Sequence, residues 1–246
     1  MSDGTLPPPA SIRDGAVVLV HGAWIGDWCW GPMLPTLQAS GRPVHAVALT
    51  GQGSRRRQTS PDIDLAVHVD DLCELVEVLD LTDIILVGHS YGGRVITNAF
   101  DRLADRIDRL VYVDAHAPLA PDTGHSPERL RLAEEHGGYL PFDDTYAPDP
   151  AVVGAEGVAW FMERLVPQPF ATLASAFAAD LPSELAKAFV YCTGYGSTRF
   201  SAYADAAREA PDWEYHEIAS DHWPMFSHVA DLAAMILGEA EPLSRT

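Results

Sequence analysis

In a chain of 246 residues, the heptapeptide "VGHSYGG" (87–93) holds the arrangement that most directly implies chemistry. An apolar run leads into Gly88-His89-Ser90-Tyr91-Gly92, a G-x-S-x-G pattern, and a helical pattern follows. A serine between a strand and a helix sits in strained backbone on a sharp turn, and the residues two positions away must lack side chains for that turn to close. Its hydroxyl is then exposed, and the helix start behind it offers positive potential to a developing oxyanion. Such a group suits nucleophilic attack on a carbonyl. A bare G-x-S-x-G can be no more than a glycine-rich connection, so its weight comes from standing between a strand and a helix.

The elements that must position this serine follow from hydrophobic patterning. "AVVLVHG" (16–22), "PVHAVAL" (43–49), "DIILVGHS" (83–90), "RLVYVDA" (109–115), "KAFVYCT" (187–193) and "WEYHEI" (213–218) read as strands. The first five are nearly continuous in apolar residues, as in a parallel sheet covered on both faces. Helical patterns occupy 30–40, 64–80, 91–107, 197–210 and 228–240. In the second of these, Leu65, Val69, Leu72, Cys73, Val76 and Leu79 form one stripe, with Asp70, Asp71, Glu74 and Glu77 opposite. Alternating strand and helix predict an α/β fold, a mostly parallel doubly wound sheet of six strands. Residues 116–186 break the rhythm with no convincing strand and many aromatics. The expected organisation is a disordered leader over 1–15, a core over 16–115 and 187–246, and a helical cap over 116–186.

Several motifs occur in order: "LVHGAW…WCW", "LVGHSYGG", "RLVYVDAHAP", "PQPFATL" and "DHWPMF". Together they resemble the α/β-hydrolase superfamily over residues 16–240. More narrowly, they resemble the small bacterial and plant methyl-ester hydrolases of the hydroxynitrile lyase/esterase group. The resemblance implies an α/β-hydrolase fold, an ester-cleaving serine with no cofactor and no metal, and a small hydrophobic substrate beneath the cap. It assigns Ser90 as nucleophile and His222, just after the last strand, as base, because chain order in this fold runs Ser, acid, His. The backbone N–H groups of Ala23 and Tyr91 would form the oxyanion hole. His21 reads as a structural histidine of the loop, His228 as capping or surface, and His216 as a strand residue; chain order disfavours His116. Trp24, Trp160, Phe161 and Trp223 are expected to line an apolar substrate pocket, although most cap aromatics must serve the cap's own packing.

Two departures narrow the chemistry. The lyases of this group carry a threonine where Gly22 stands and a lysine where Trp223 stands, so cyanohydrin chemistry is not expected. Epoxide hydrolases and haloalkane dehalogenases need a carboxylate where Ser90 stands. A third departure concerns the acid, which in the family usually follows the strand "KAFVYCT". Gly194, Tyr195, Gly196, Ser197 and Thr198 offer no carboxylate there. Asp114, at the end of the preceding strand, is the best substitute, since carboxyl ends of neighbouring strands converge on one crevice. The bland reading of Asp114 is a cap on local backbone amides. Asp221 adjoins His222 and points away from it in an extended segment; Asp27 and Asp205 are outsiders.

Composition limits the partners. A net charge of -19 argues against nucleic acid and anionic membrane surfaces. Arg55-Arg56-Arg57 reads as a solvated loop. Cys29, Cys73 and Cys192 are odd in number and scattered, which suggests free thiols in a reducing compartment. With no membrane-length apolar run and no signal-peptide pattern, the expected location is cytoplasmic. The expected partner is a small hydrophobic molecule, and a homodimer is compatible with the sequence. Three functions remain open at this level: hydrolysis of a small ester or thioester through an acyl-enzyme, non-hydrolytic work such as cyclisation or elimination, and ligand binding without turnover.

Overall fold

The apolar runs become strands of a single sheet in the computed structural model, which describes residues 15–120, 126–174, 177, 180–194 and 200–244. In chain order they are β1 (Val17–Val20), β2 (Val44–Val47), β3 (Ile84–His89) and β4 (Ile107–Val113), then, after an inserted pair, β7 (Ala186–Cys192) and β8 (Glu214–Ile218). Their spatial order is β2-β1-β3-β4-β7-β8, with every neighbouring pair parallel. β1 and β3 are buried along their whole length, which is why they carry no polar alternation. The expected α/β sheet of six strands is therefore observed.

Helices α1 (Leu34–Gln38), α2 (Leu65–Val78), α3 (Gly92–Leu103), α7 (Ser201–Glu209) and α9 (Val229–Leu237) occupy the expected intervals. The run predicted as helix over 30–40 instead starts as a 3₁₀ stretch, Asp27–Met33, before α1. Pro32 and Pro35 each remove a backbone donor and so break a continuous α ladder. In α2, Asp64 caps the first turn by accepting from the Val67 N–H at 3.1 Å. Leu65, Val69, Leu72, Cys73 and Val76 are buried on it as predicted, and His68 joins them. The arginine cluster lies in a 3₁₀ turn, Gly53–Gln58, where Arg55 pairs with Asp71.

Between β4 and β7 the chain forms α4 (Pro127–Glu135), β5 (Tyr139–Leu140), α5 (Pro150–Met162), β6 (Gln168–Pro169) and α6 (Ala171–Ala174). The expectation of no strand here is corrected: β5 and β6 pair antiparallel, Tyr139 with Pro169 and Leu140 with Gln168. Two residues are too few to show an alternation, so the pattern gave no signal. A short helix, α8 (Pro224–Ser227), also appears after β8. The expected leader lies outside the described residues apart from Gly15.

Two buried histidines tie the loops at the carboxyl ends of the strands. His21, just past β1, donates from Nδ1 to the Gly22 carbonyl at 2.8 Å, and its Nε2 faces the Leu49 N–H at 3.5 Å. His68 donates from Nε2 to the Thr50 carbonyl at 2.9 Å, so its Nδ1 accepts from the Tyr91 hydroxyl at 2.8 Å. Both rings are used as neutral groups, and burial pushes both down, His21 to about 4. The unfolded chain binds protons at these sites more readily than the fold does. The contribution of each is thus complete above the ordinary value of 6.5 and is lost as pH falls below it, for His21 between there and about 4. For His21 the full loss is about 3 kcal/mol, at 1.36 kcal/mol per unit. Urea midpoints should fall between pH 7 and pH 4.5, and His21→Gln, which takes up no proton, should show a shallower slope. Equal slopes would remove His21 as the source.

Candidate active site

Ser90 occupies the turn between β3 and α3 with φ at +54°, a left-handed conformation that costs a non-glycine residue about 1–3 kcal/mol. Its neighbours enforce that turn. A Cβ on Gly88 would stand 2.7 Å from the Gly92 carbonyl carbon, and one on Gly92 would stand 2.5 Å from the Val20 oxygen. The Ser90 N–H donates to the Val113 carbonyl at 3.1 Å, and the Ser90 carbonyl accepts from the N–H of His116 at 3.1 Å. The serine is thus held between the ends of β3 and β4, and it is buried, 8% exposed, where the turn predicts an exposed hydroxyl, because the loop after β1 closes over it.

Asp114 follows β4, again at positive φ, +41°. Its N–H donates to the Val190 carbonyl at 2.7 Å, and its side chain is wholly buried. The Cys192 N–H donates to Oδ1 at 3.3 Å, while Oδ2 accepts from His222 Nδ1 at 2.7 Å. His222 stands between β8 and α8, 108 residues from Asp114 in sequence. With the Nδ1 proton directed at the carboxylate, the neutral ring carries its lone pair on Nε2. Phe200 stacks on the ring at 5.2 Å and 8°, and Tyr146 lies 4.9 Å away between centroids.

Other predicted acids point elsewhere. Asp221 accepts from the Asp149 N–H at 2.9 Å and the Trp223 N–H at 3.0 Å, Asp27 accepts from the Ser54 N–H at 3.0 Å, and Asp205 is exposed. Gly194 has no room for a carboxylate, since its Cβ would lie 2.7 Å from the Ser220 oxygen. Tyr195, Gly196, Ser197 and Thr198 lie outside the described residues.

The loop after β1 closes on the serine from the other side. A Cβ on Gly22 would stand 3.0 Å from both Ser90 Cβ and His89 Nδ1. Among the described residues, the backbone N–H of Ala23 and that of Tyr91 donate to no protein acceptor. Two unused donors flanking a serine on a helix start can receive an oxyanion.

His89 carries a role that the sequence reading missed, although it lies inside the motif. Its Nε2–H donates to the His222 carbonyl at 2.8 Å, and the two rings lie 4.5 Å apart. Burial pushes this imidazole well below its ordinary value, so it serves as a neutral prop for the His222 backbone. His116 contacts the Tyr203 hydroxyl at 3.2 Å, His216 lies 3.7 Å from Glu214, and His228 bonds Ser227 at 2.7 Å. None of these three is bonded to Asp114.

The four predicted pocket residues separate. Trp24 and His116 line a cleft of about 420 Å³ together with Arg129, Leu132, Leu140 and Asp143. Phe161 and Trp223 are buried against each other at 4.8 Å, and the Trp223 indole N–H donates to the Tyr146 carbonyl at 2.6 Å. They form a wall beside His222. Trp160 is 42% exposed, packs under the Arg164 guanidinium at 4.0 Å and edgewise on Trp28, and shares with Phe161 a separate cavity of about 270 Å³ that Trp24 and Trp223 do not line. Consecutive helical residues point about 100° apart, so Phe161 is buried and Trp160 half-exposed while both still pack on Trp28.

Comparison with known proteins extends the likeness along the chain. A family model described as the alpha/beta hydrolase family matches residues 17–235. A carbendazim hydrolyzing esterase from Nocardioides sp. (strain SG-4G) is 30% identical over 243 residues, covering 88% of this chain and 96% of that protein. Methylesterase 3 of Arabidopsis thaliana is 32% identical over 256 residues, covering 92% and 95%. Among solved structures, an extracellular alpha/beta-hydrolase from a Paenibacillus species shares the fold. It is reported to have structural and functional homology to tobacco salicylic acid binding protein 2. Its TM-score is 0.73 at 21% identity, over 92% of this chain and 99% of that one. Because the matched span runs from β1 into α9 and takes in Ser90, Asp114 and His222, the likeness is one of the whole chain, which belongs to the α/β-hydrolase family.

Proposed function

We propose that the chain is a serine hydrolase that cleaves small carboxylic esters through an acyl-enzyme. The observation that carries this reading is the 2.7 Å bond between Asp114 and His222, a buried acid holding an imidazole beside the nucleophile turn. Ser90 Oγ attacks the ester carbonyl and gives its proton to His222 Nε2. Asp114 keeps the imidazole in the required tautomer and stabilises the imidazolium that forms. The N–H groups of Ala23 and Tyr91 receive the oxyanion. His222 then protonates the departing alkoxide, and a water molecule, deprotonated by the same imidazole, releases the acid.

The relatives named as a carbendazim hydrolyzing esterase and a methylesterase support methyl esters as the first substrates to try. Residues 116–186 act as the cap in this reading, because Tyr146 packs against His222 and Leu140 lines the cleft. The Asp114–His222 bond favours hydrolysis over non-hydrolytic work, which a weakened triad would suit. The three cysteines are buried and free, which favours a reducing, cytoplasmic setting. Among the described residues no helix is long and apolar enough to cross a membrane.

Fluorophosphonate labelling and aryl-ester turnover should both vanish in Ser90→Ala; full activity in that variant would defeat the proposal. Asp114→Asn should lower kcat by roughly 10^3–10^4 with KM little changed, as expected when the tautomer is lost. Adding Gly194→Asp to Asp114→Asn should not restore turnover, because the new side chain meets the Ser220 backbone. Restored turnover would show that the usual loop can still supply the acid.

A further inference from the structure

Ala23 can hold an oxyanion only if two successive peptide planes keep their orientation, and each plane is fixed by a buried side chain. In the first plane, the Gly22 carbonyl accepts from His21 Nδ1 at 2.8 Å, so the Ala23 N–H, on the opposite side of a trans peptide, is directed away from His21. In the second plane, the Trp24 N–H donates to Gln168 Oε1 at 3.1 Å. Gln168 is wholly buried and comes from β6, in the segment between β4 and β7.

Trp24 itself needs such restraint. Its φ is +63°, an outlier for a bulky residue, and strain of that kind persists only where surrounding contacts over-determine it. Each of its polar groups is held by that inserted segment. Besides the Gln168 contact, the Trp24 carbonyl accepts from the Val166 N–H at 2.8 Å, and the indole N–H donates to the Leu140 carbonyl at 2.9 Å. The orientation of the Gln168 amide is fixed in turn. Thr172 Oγ1 donates to the Pro169 carbonyl at 2.7 Å, so it can only accept from Gln168 Nε2, also at 2.7 Å. That leaves Oε1 facing Trp24, where it also accepts from Gln52 Nε2 at 3.1 Å.

We propose that Gln168 is a positioning residue for the oxyanion site: its side-chain carbonyl, delivered by the cap, fixes the Trp24 peptide and thereby aims the Ala23 N–H at the substrate carbonyl. The inference rests on the serine-hydrolase reading given above and extends it. Without the Gln168 acceptor the Trp24 N–H is buried and unsatisfied, and the strained turn relaxes by rotating the peptide. The effect falls on the transition state, because the oxyanion needs the donor more than the bound ester does.

The test compares Gln168→Met, which keeps the shape and removes the acceptor, with Gln168→Glu, which keeps an acceptor oxygen. Steady-state kinetics on an aryl ester are read beside the inhibition constant of an aryl trifluoromethyl ketone, whose serine adduct carries an oxyanion. Removing an oxyanion donor outright costs about 10^2–10^3 in kcat, so misaiming one in Gln168→Met should cost roughly 10–100-fold, with KM within about threefold. Ketone affinity should weaken by the same factor, and Gln168→Glu should recover most of both. A folded Gln168→Met variant with kcat and ketone affinity within about twofold of the parent would overturn the proposal. So would a Gln168→Glu variant as impaired as Gln168→Met. If Gln168→Met does not fold, Gln168→Asn, which withdraws the acceptor by one methylene, must show the same paired losses, and parent-like values there would overturn it equally. Ser90→Ala, assayed alongside, separates the two levels. An inactive Ser90→Ala with a parent-like Gln168→Met sinks only the positioning role, whereas an active Ser90→Ala sinks the hydrolase reading itself.

Discussion

A carboxylate with no solvent exposure is tolerated only where hydrogen bonds replace its lost hydration, and Asp114 is such a group. One oxygen receives the Cys192 N–H and the other receives His222 Nδ1, so the imidazole is part of what allows the acid to be buried. The dependence is mutual, since the acid fixes which ring nitrogen carries the proton. The pair joins the end of β4 to the loop after β8, and β7 lies between those strands and supplies the Cys192 N–H. The chemistry therefore depends on the strand order of the sheet. Exchanging two strands would part Asp114 from His222 without altering a side chain.

Strain is concentrated at the same edge. Trp24, Ser90 and Asp114 all have positive φ, and they follow β1, β3 and β4, which are neighbours at the centre of the sheet. Each residue directs a polar group across the carboxyl ends of the strands instead of continuing them. Backbone in that conformation survives because it is pinned: Ser90 by Val113 and His116, Asp114 by Val190, Trp24 by Gln168 and Val166. Among the described residues, the other two non-glycine residues with positive φ, Asp80 and Asp83, flank the turn before β3. They are acidic turn residues of the type that adopts this conformation readily.

Around the imidazole the structure is aromatic. Phe200, Tyr146, Trp223 and His89 surround the ring, and Phe161 backs Trp223. Such a shell excludes water and strengthens the electrostatic attraction between imidazolium and carboxylate. It also couples the inserted segment to the base, since the Trp223 indole N–H is held by the Tyr146 carbonyl. The segment thus reaches both sides of the site: Tyr146 at the imidazole and Gln168 at the loop after β1.

The strands of the central sheet were legible because fully buried parallel strands are continuous in apolar residues, and Ser90 was legible because its turn demands Gly88 and Gly92. His222 could be chosen among ten histidines by chain order, a property of the fold. The sequence could nominate Asp114 but not join it to His222, because that contact spans 108 residues and depends on the order of strands in the sheet. It could not tell Phe161 from Trp160 either, since both are aromatic and only the packing of α5 turns one inward. β5 and β6, two residues each, left no periodicity to read, and nothing in the motif "PQPFATL" set Gln168 apart as a partner of the distant Trp24. Local patterning determined the elements and the tight turn that holds Ser90; tertiary packing alone decided which distant groups meet, because hydrogen bonds and strain relief at the strand ends depend on neighbours that are far apart in the chain.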